Sequence, residues 1–62
     1  MRTYEVNTQN EKYRIQADDV DLGENVFENI DMSQILVFYR HGMYAAIFRE
    51  WKSVVDVTIE NL

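Results

Sequence analysis

Cysteine and proline are absent from this 62-residue chain, glycine occurs twice, and histidine and tryptophan occur once each. Without cysteine there is no disulfide staple and no thiolate for catalysis or metal binding. The same absence agrees with a reducing compartment. With only Gly23 and Gly42, no glycine-rich phosphate loop can form. No segment approaches the ~18 consecutive apolar residues of a membrane span. Met1 to Glu5 lacks the apolar stretch of a signal peptide, and no Asn-x-Ser/Thr sequon is present. These absences predict a soluble cytoplasmic protein without a membrane association.

What is present is apolar and aromatic. Hydrophobic residues make up 47% of the chain and aromatics 13%, too rich for a disordered segment. No repeat, low-complexity stretch or linker divides the sequence, so residues 1–62 read as one small domain. A domain of this size buries only ~60% of the surface its unfolded chain exposes. Small scaffolds without disulfides or metals often gain stability by oligomerising.

Residues 3–7 and 12–17 alternate polar and apolar, the pattern of half-buried strands. A two-residue turn at Gln9-Asn10 pairs Thr8 with Glu11, Val6 with Tyr13 and Tyr4 with Ile15, so the apolar residues share a face. On the other face Glu5 lands opposite Arg14, a cross-strand pair worth ~0.2–1 kcal/mol. Val20 and Leu22 continue the alternation, Gly23-Glu24-Asn25 reads as a turn, and Val26-Phe27 as a short strand or anchored loop. Residues 28–33 have turn-like composition and room for one helical turn.

The strongest signal is the run from Ile35 to Phe48, two nearly unbroken apolar stretches meeting at His41-Gly42. It predicts a hairpin apolar on both faces, with Gly42 supplying the positive φ of the turn. His41 reads as a turn residue that tolerates left-handed geometry. A regular ladder pairs Tyr39 with Tyr44, Phe38 with Ala45, Val37 with Ala46 and Leu36 with Ile47. One face then holds Ile35, Val37, Tyr39, Tyr44, Ala46 and Phe48. The other holds Leu36, Phe38, Met43, Ala45 and Ile47, and this second set is the expected partner-binding surface. Either a second copy covers it or residues 20–32 fold over it. Trp51 is expected to fold back over the core. Val54 to Ile59 reads as a last strand with Val55, Val57 and Ile59 inward and Asp56, Thr58 and Glu60 outward. The expected fold is all-β, a small antiparallel meander of four to six strands closed as an SH3-like barrel or a strongly bent sheet. Its expected core is Tyr4, Val6, Tyr13, Ile15, Val37, Phe48, Val55 and Val57.

The net charge of −5 lies entirely in residues 1–31. Asp18, Asp19, Asp21, Glu24, Glu28 and Asp31 form an acidic surface with no base among them. Such a chain gains nothing from counterion release, which argues against direct nucleic-acid binding. Aligned as a calcium loop, the segment puts Glu24 where glycine is required and Ile30 where glutamate is required, so the EF-hand pattern fails. Neither Ser33 nor Ser53 is tied to His41, so no triad can be assembled from sequence. No cofactor motif, metal-ligand spacing or catalytic set emerges, and the chain reads as non-enzymatic. Two binding readings stand beside this. The acids could mimic the charge spacing of DNA and inhibit a nucleic-acid-binding enzyme. Alternatively an oligomer could hold a small ligand. The basic and aromatic residues Arg40, His41, Arg49 and Lys52 with Tyr39, Tyr44 and Trp51 are of the kind that stack bases, and read as a small-nucleotide or oligonucleotide site should they cluster.

The residues Tyr4-Glu5-Val6, Tyr13 to Val20, Val37-Phe38-Tyr39, Ala45 to Phe48 and Trp51 to Val54 form a pattern that resembles small β proteins encoded by phages and prophages of Gram-positive bacteria. The resemblance rests on core and turn residues and implies a short accessory protein, of a kind that often inhibits host factors. The leading expectation is a small protein-interaction module, a homo-oligomer with a dimer favoured, that binds a host protein.

Overall fold

A computed structural model describes the backbone of residues 1–61 and the side chains through Ile59. The outward placement expected for Glu60 lies outside the described side chains. Six strands occur: β1 (Arg2–Asn7), β2 (Lys12–Ala17), β3 (Asp19–Leu22), β4 (Leu36–Arg40), β5 (Met43–Phe48) and β6 (Ser53–Asp56). A one-turn helix α1 (Gly23–Val26) and a 3₁₀ turn (Ile30–Met32) join β3 to β4, and a second 3₁₀ turn (Thr58–Asn61) follows β6. The strands form two antiparallel sheets of order β2-β1-β6 and β3-β4-β5, and neither closes into a barrel.

Alternation, the Glu5–Arg14 pair and a short polar turn set the first hairpin. Tyr4 pairs with Ile15, Glu5 with Arg14 and Val6 with Tyr13, and the Thr8 N–H donates to the Glu11 carbonyl at 2.9 Å. β6 adds to the other side of β1, with Val54 opposite Val6 and Val55 opposite Glu5. Val54 therefore joins the core face, while Val55 points outward and stays 49% exposed. This corrects the phase expected for the last strand. Two adjacent valines fit either phase, and pairing with β1 decides between them. The strand also stops at Asp56, because the chain turns into the 3₁₀ segment. There the Thr58 hydroxyl accepts from the Thr3 N–H and the Val57 N–H donates to the Thr3 carbonyl. Val57 is buried by that turn, and Ile59, expected inward, is exposed.

The arm of β2 and β3 bends at Asp18 and passes from one sheet to the other. The Asp18 N–H donates to the Tyr39 carbonyl, and an Asp18 carboxylate oxygen accepts from the His41 N–H at 2.8 Å. The Arg40 guanidinium donates to the Gln16 carbonyl. The bend and the tip of the β4–β5 hairpin thus fix each other. At that tip His41 and Gly42 have φ of 55° and 75°, as the two-residue turn requires.

The second hairpin departs from a regular ladder. Tyr39 pairs with Tyr44 as expected, but Phe38 then pairs with Ala46, Val37 with Ile47 and Leu36 with Phe48. Ala45 is the extra residue of a β-bulge. A bulge of one residue exchanges the faces of everything beyond it. Leu36 and Phe38 consequently share the core face with Ala46 and Phe48, and Val37 shares the outer face with Ile47.

The two sheets meet through Tyr4 and Phe38, whose ring centroids lie 5.4 Å apart, and through Tyr13 and Phe48 at 5.5 Å. Tyr4, Val6, Ala17, Leu36 and Phe38 form the central cluster, with Ile15, Val20, Leu22, Ala46, Phe48, Trp51 and Val54 packed against it. Of the expected core, Tyr13 is instead partly exposed at the rim. Gly23 starts α1 and is not a left-handed turn residue. A Cβ there would sit 2.6 Å from the Met32 carbonyl oxygen, so its lack of side chain lets the α1 and 3₁₀ backbones touch.

Candidate functional site

Two surfaces carry unused chemistry. The first is the outer face of the β3-β4-β5 sheet. The registers place Asp19, Asp21, Val37, Tyr39, Tyr44 and Ile47 on it. Val37 is fully buried yet outside the central cluster, because α1 packs against β3 and β4. Phe27, just after α1, reaches Tyr44 with a centroid separation of 6.0 Å, and Tyr44 in turn lies 5.6 Å from Tyr39. The cover is partial, and Phe27, Tyr44 and Ile47 remain 40%, 58% and 49% exposed. Desolvation, then the nearby Tyr44, Asp21 and Asp19, push the Tyr39 phenol above its usual value.

The surface expected to bind a partner is therefore divided. Leu36 and Phe38 are 3% and 0% exposed and belong to the core, because their face of β4 packs against Tyr4 of the other sheet and the bulge brings Ala46 and Phe48 onto that face beside them. Met43 sits beside Arg40 at the hairpin tip, Ala45 is the bulge, and only Ile47 lies on the outer face. All three are exposed. Phe27 and Tyr44 are the residues sequence reasoning missed. Phe27 was legible only as part of a short strand or anchored loop, and Tyr44 as one member of the opposite set.

The acids are dispersed into local roles. The Asp19 carboxylate accepts from the Val20 N–H at 2.8 Å, and that of Asp21 from the Leu22 N–H at 2.7 Å and the Asn25 amide at 2.9 Å. These bonds, Asn25 first, hold the Asp21 carboxyl below the usual carboxylate value. Asp18 fastens the hairpin tip, and Glu24, Glu28 and Asp31 follow along α1 and the 3₁₀ turn. Among the described residues no group of three or more His, Asp or Glu side chains is arranged to hold a metal ion.

The second surface is an open groove of about 720 Å³ between the β1–β2 turn and the β5–β6 connection. Tyr13, Phe48 and Trp51 line it, with Arg49, Glu50 and Lys52 from the connection and Thr8, Gln9, Asn10 and Gln34 around the rim. The Trp51 indole N–H donates to the Gln34 carbonyl at 2.9 Å, and the Lys52 N–H donates to the Asn7 carbonyl at 2.7 Å. The Tyr13 hydroxyl donates to the Glu11 carboxylate, which raises the phenol's pKa. Of the basic and aromatic residues expected for a small ligand, Arg49, Trp51 and Lys52 come together here. Arg40, His41, Tyr39 and Tyr44 lie instead on β4, β5 and their tip. Nothing local in the sequence announces this groove, because the pairing of β6 with β1 is what brings its two loops together.

Fold and surface together define a small two-sheet all-β domain with one incompletely covered face and one aromatic groove. No family model matches the chain, and no curated protein and no solved structure matches it. No helix among the described residues is long and apolar enough to cross a membrane.

Proposed function

We propose that the chain is a non-enzymatic protein-interaction module that docks face-on against a second copy of itself through Phe27, Tyr44 and Ile47. The observation that carries this reading is the exposure of these three large apolar side chains on one face of a sheet. Seven hydrophobic residues are buried, whereas nine large ones stay exposed among the described residues. A domain so short of its own core gains from burying more. A two-fold contact needs no foreign partner, since the same patch serves both sides.

The edges favour a face-on approach over strand addition. The outer amides of β3 are taken by Asp19 and Asp21, and β5 is interrupted by its bulge. Lys12 and Arg14 lie on β2, and β6 has four residues with Asp56 paired to Arg2 at 2.7 Å. Charges, bulges and short strands are the devices that block edge pairing. The bend at Asp18, which hands one β arm between the sheets, supports reading the architecture as an opened relative of the SH3-like barrel. An inhibitory DNA-mimic role is less well supported, since Asp18, Asp19 and Asp21 each already hold a backbone amide.

Sedimentation equilibrium tests the reading. The expected mass is twice the 7.4 kDa of one chain, falling to one chain for Ile47→Asp with an unchanged circular dichroism spectrum. A wild-type mass of one chain, or a doubled mass that survives Ile47→Asp, overturns it. In the first case a host protein becomes the occupant to seek.

A further inference from the structure

We infer that the groove between the β1–β2 turn and the β5–β6 connection is a binding site for a nucleoside monophosphate. The lining carries the three kinds of group such a ligand needs. Tyr13, Phe48 and Trp51 offer aromatic surface on which a base can stack. Gln9, Asn10 and Gln34 carry carboxamides, the side chain that presents a donor and an acceptor together to a base edge. Arg49 and Lys52 supply two positive charges for a phosphate of about two negative charges. Glu50, the one acid in the lining, provides an acceptor for a base amino group or a ribose hydroxyl.

Two features separate this groove from a surface that is merely basic and aromatic. The bases elsewhere include Arg2, engaged with Asp56, and Arg40, engaged with the Gln16 carbonyl. No side-chain partner holds Arg49 or Lys52 among the described residues, and both sit in the same groove of a chain with net charge −5. The aromatic surface is also held in place beforehand. Trp51 is tied to Gln34, Tyr13 to Glu11, and the Tyr13 and Phe48 rings pack on each other. Fixed walls lower the ordering cost of binding. The volume of about 720 Å³ lies in the range of small-molecule sites. A polynucleotide would meet the repulsion of the remaining acids, so one nucleotide fits the charge distribution better than a strand.

Trp51 is the only tryptophan, so its indole N–H gives a single resonance inside the groove. The experiment titrates uniformly ¹⁵N-labelled protein with each of the four ribonucleoside monophosphates and follows that resonance. The inference predicts a saturable shift with at least one nucleotide below about 5 mM. Its unphosphorylated nucleoside should bind roughly tenfold more weakly, and inorganic phosphate alone should leave the indole unmoved. The double variant Arg49→Gln/Lys52→Gln should weaken binding by about tenfold or more with an unchanged melting temperature. No saturable shift with any of the four overturns the inference, and so does affinity indifferent to the double variant. Tighter binding of an acidic aromatic tripeptide, Asp-Tyr-Glu, assigns the groove to a peptide and overturns it as well.

Discussion

The two hairpins are held in register by different means. In β1–β2 every second residue is apolar, and a one-residue slip would move Tyr4, Val6 and Ile15 out of the core. That hairpin carries its register within itself. In β4–β5 almost every residue is apolar, so either phase offers greasy side chains to the core. The bulge at Ala45 is tolerated there, and the tip is pinned from outside by Asp18 and by the Gln16 carbonyl, which accepts from Arg40. Patterned strands specify a face, whereas uniformly apolar strands leave the choice to their neighbours. The unused apolar surface lies on the second sheet for this reason.

The largest effect that sharpens this comparison separates two residues expected to share a face. Phe38→Asp buries a charge in the centre of the core and should cost more than about 4 kcal/mol, enough to unfold a domain this small. Ile47→Asp should change the stability of the single chain by no more than about 0.5 kcal/mol. Urea denaturation of both, with association measured in parallel, checks the contrast. Gly23→Ala comes next. Its new methyl meets the Met32 carbonyl, and overpacking of this kind costs about 1–3 kcal/mol, read as a lower urea midpoint.

Deleting Ala45 tests the bulge itself. Without it Tyr44 still pairs with Tyr39 and Ala46 still pairs with Phe38, now in an unbroken ladder. The expected loss is within about 1 kcal/mol, with nuclear Overhauser contacts between Phe38 and Phe48 retained. In an unbulged hairpin the same deletion would turn Phe48 away from the core and cost about 3–5 kcal/mol.

The smallest effect is in pH. The Asp21 and Asp56 carboxyls are held low, by Asn25 and the Leu22 amide for the one and by Thr58 and then Arg2 for the other. A lowered carboxyl pKa adds stability that is complete above the unfolded value of about 4 and disappears as pH falls through the folded value. Both groups are open to solvent, so the acid loss should be shallow, and Asp21→Asn should remove part of it. The Tyr4 phenol is raised by burial, so stability should also decline as pH rises from about 10 toward its folded value. Urea midpoints measured across pH read both limbs.

The first hairpin, its turn and its register were legible from residues 3–17, because alternation, a paired charge and a short polar turn agree. The tip at His41-Gly42 and the folding of Trp51 onto the core were legible too, each from one distinctive residue. The bulge was not, since nothing in Tyr-Ala-Ala-Ile marks which alanine is extra. The phase of Val54-Val55 was equally silent, because either valine satisfies the core. α1 could not be read from four residues that open on glycine, whose reason for being there is a contact with Met32. The outer-face site was half visible. Ile47 was named for it, Leu36 and Phe38 were misplaced because both faces of β4 are apolar, and Phe27 depended on how the α1 segment packs. The groove was represented by Arg49, Trp51 and Lys52 alone, since Tyr13, Gln9 and Asn10 reach it only through the β1–β6 pairing.

The most direct test of face-on association is an isotope-filtered Overhauser experiment on a mixture of labelled and unlabelled chains. Contacts between copies should arise from Phe27, Tyr44 and Ile47. Contacts between copies confined to the backbone of an edge strand, or none at all, would contradict the account.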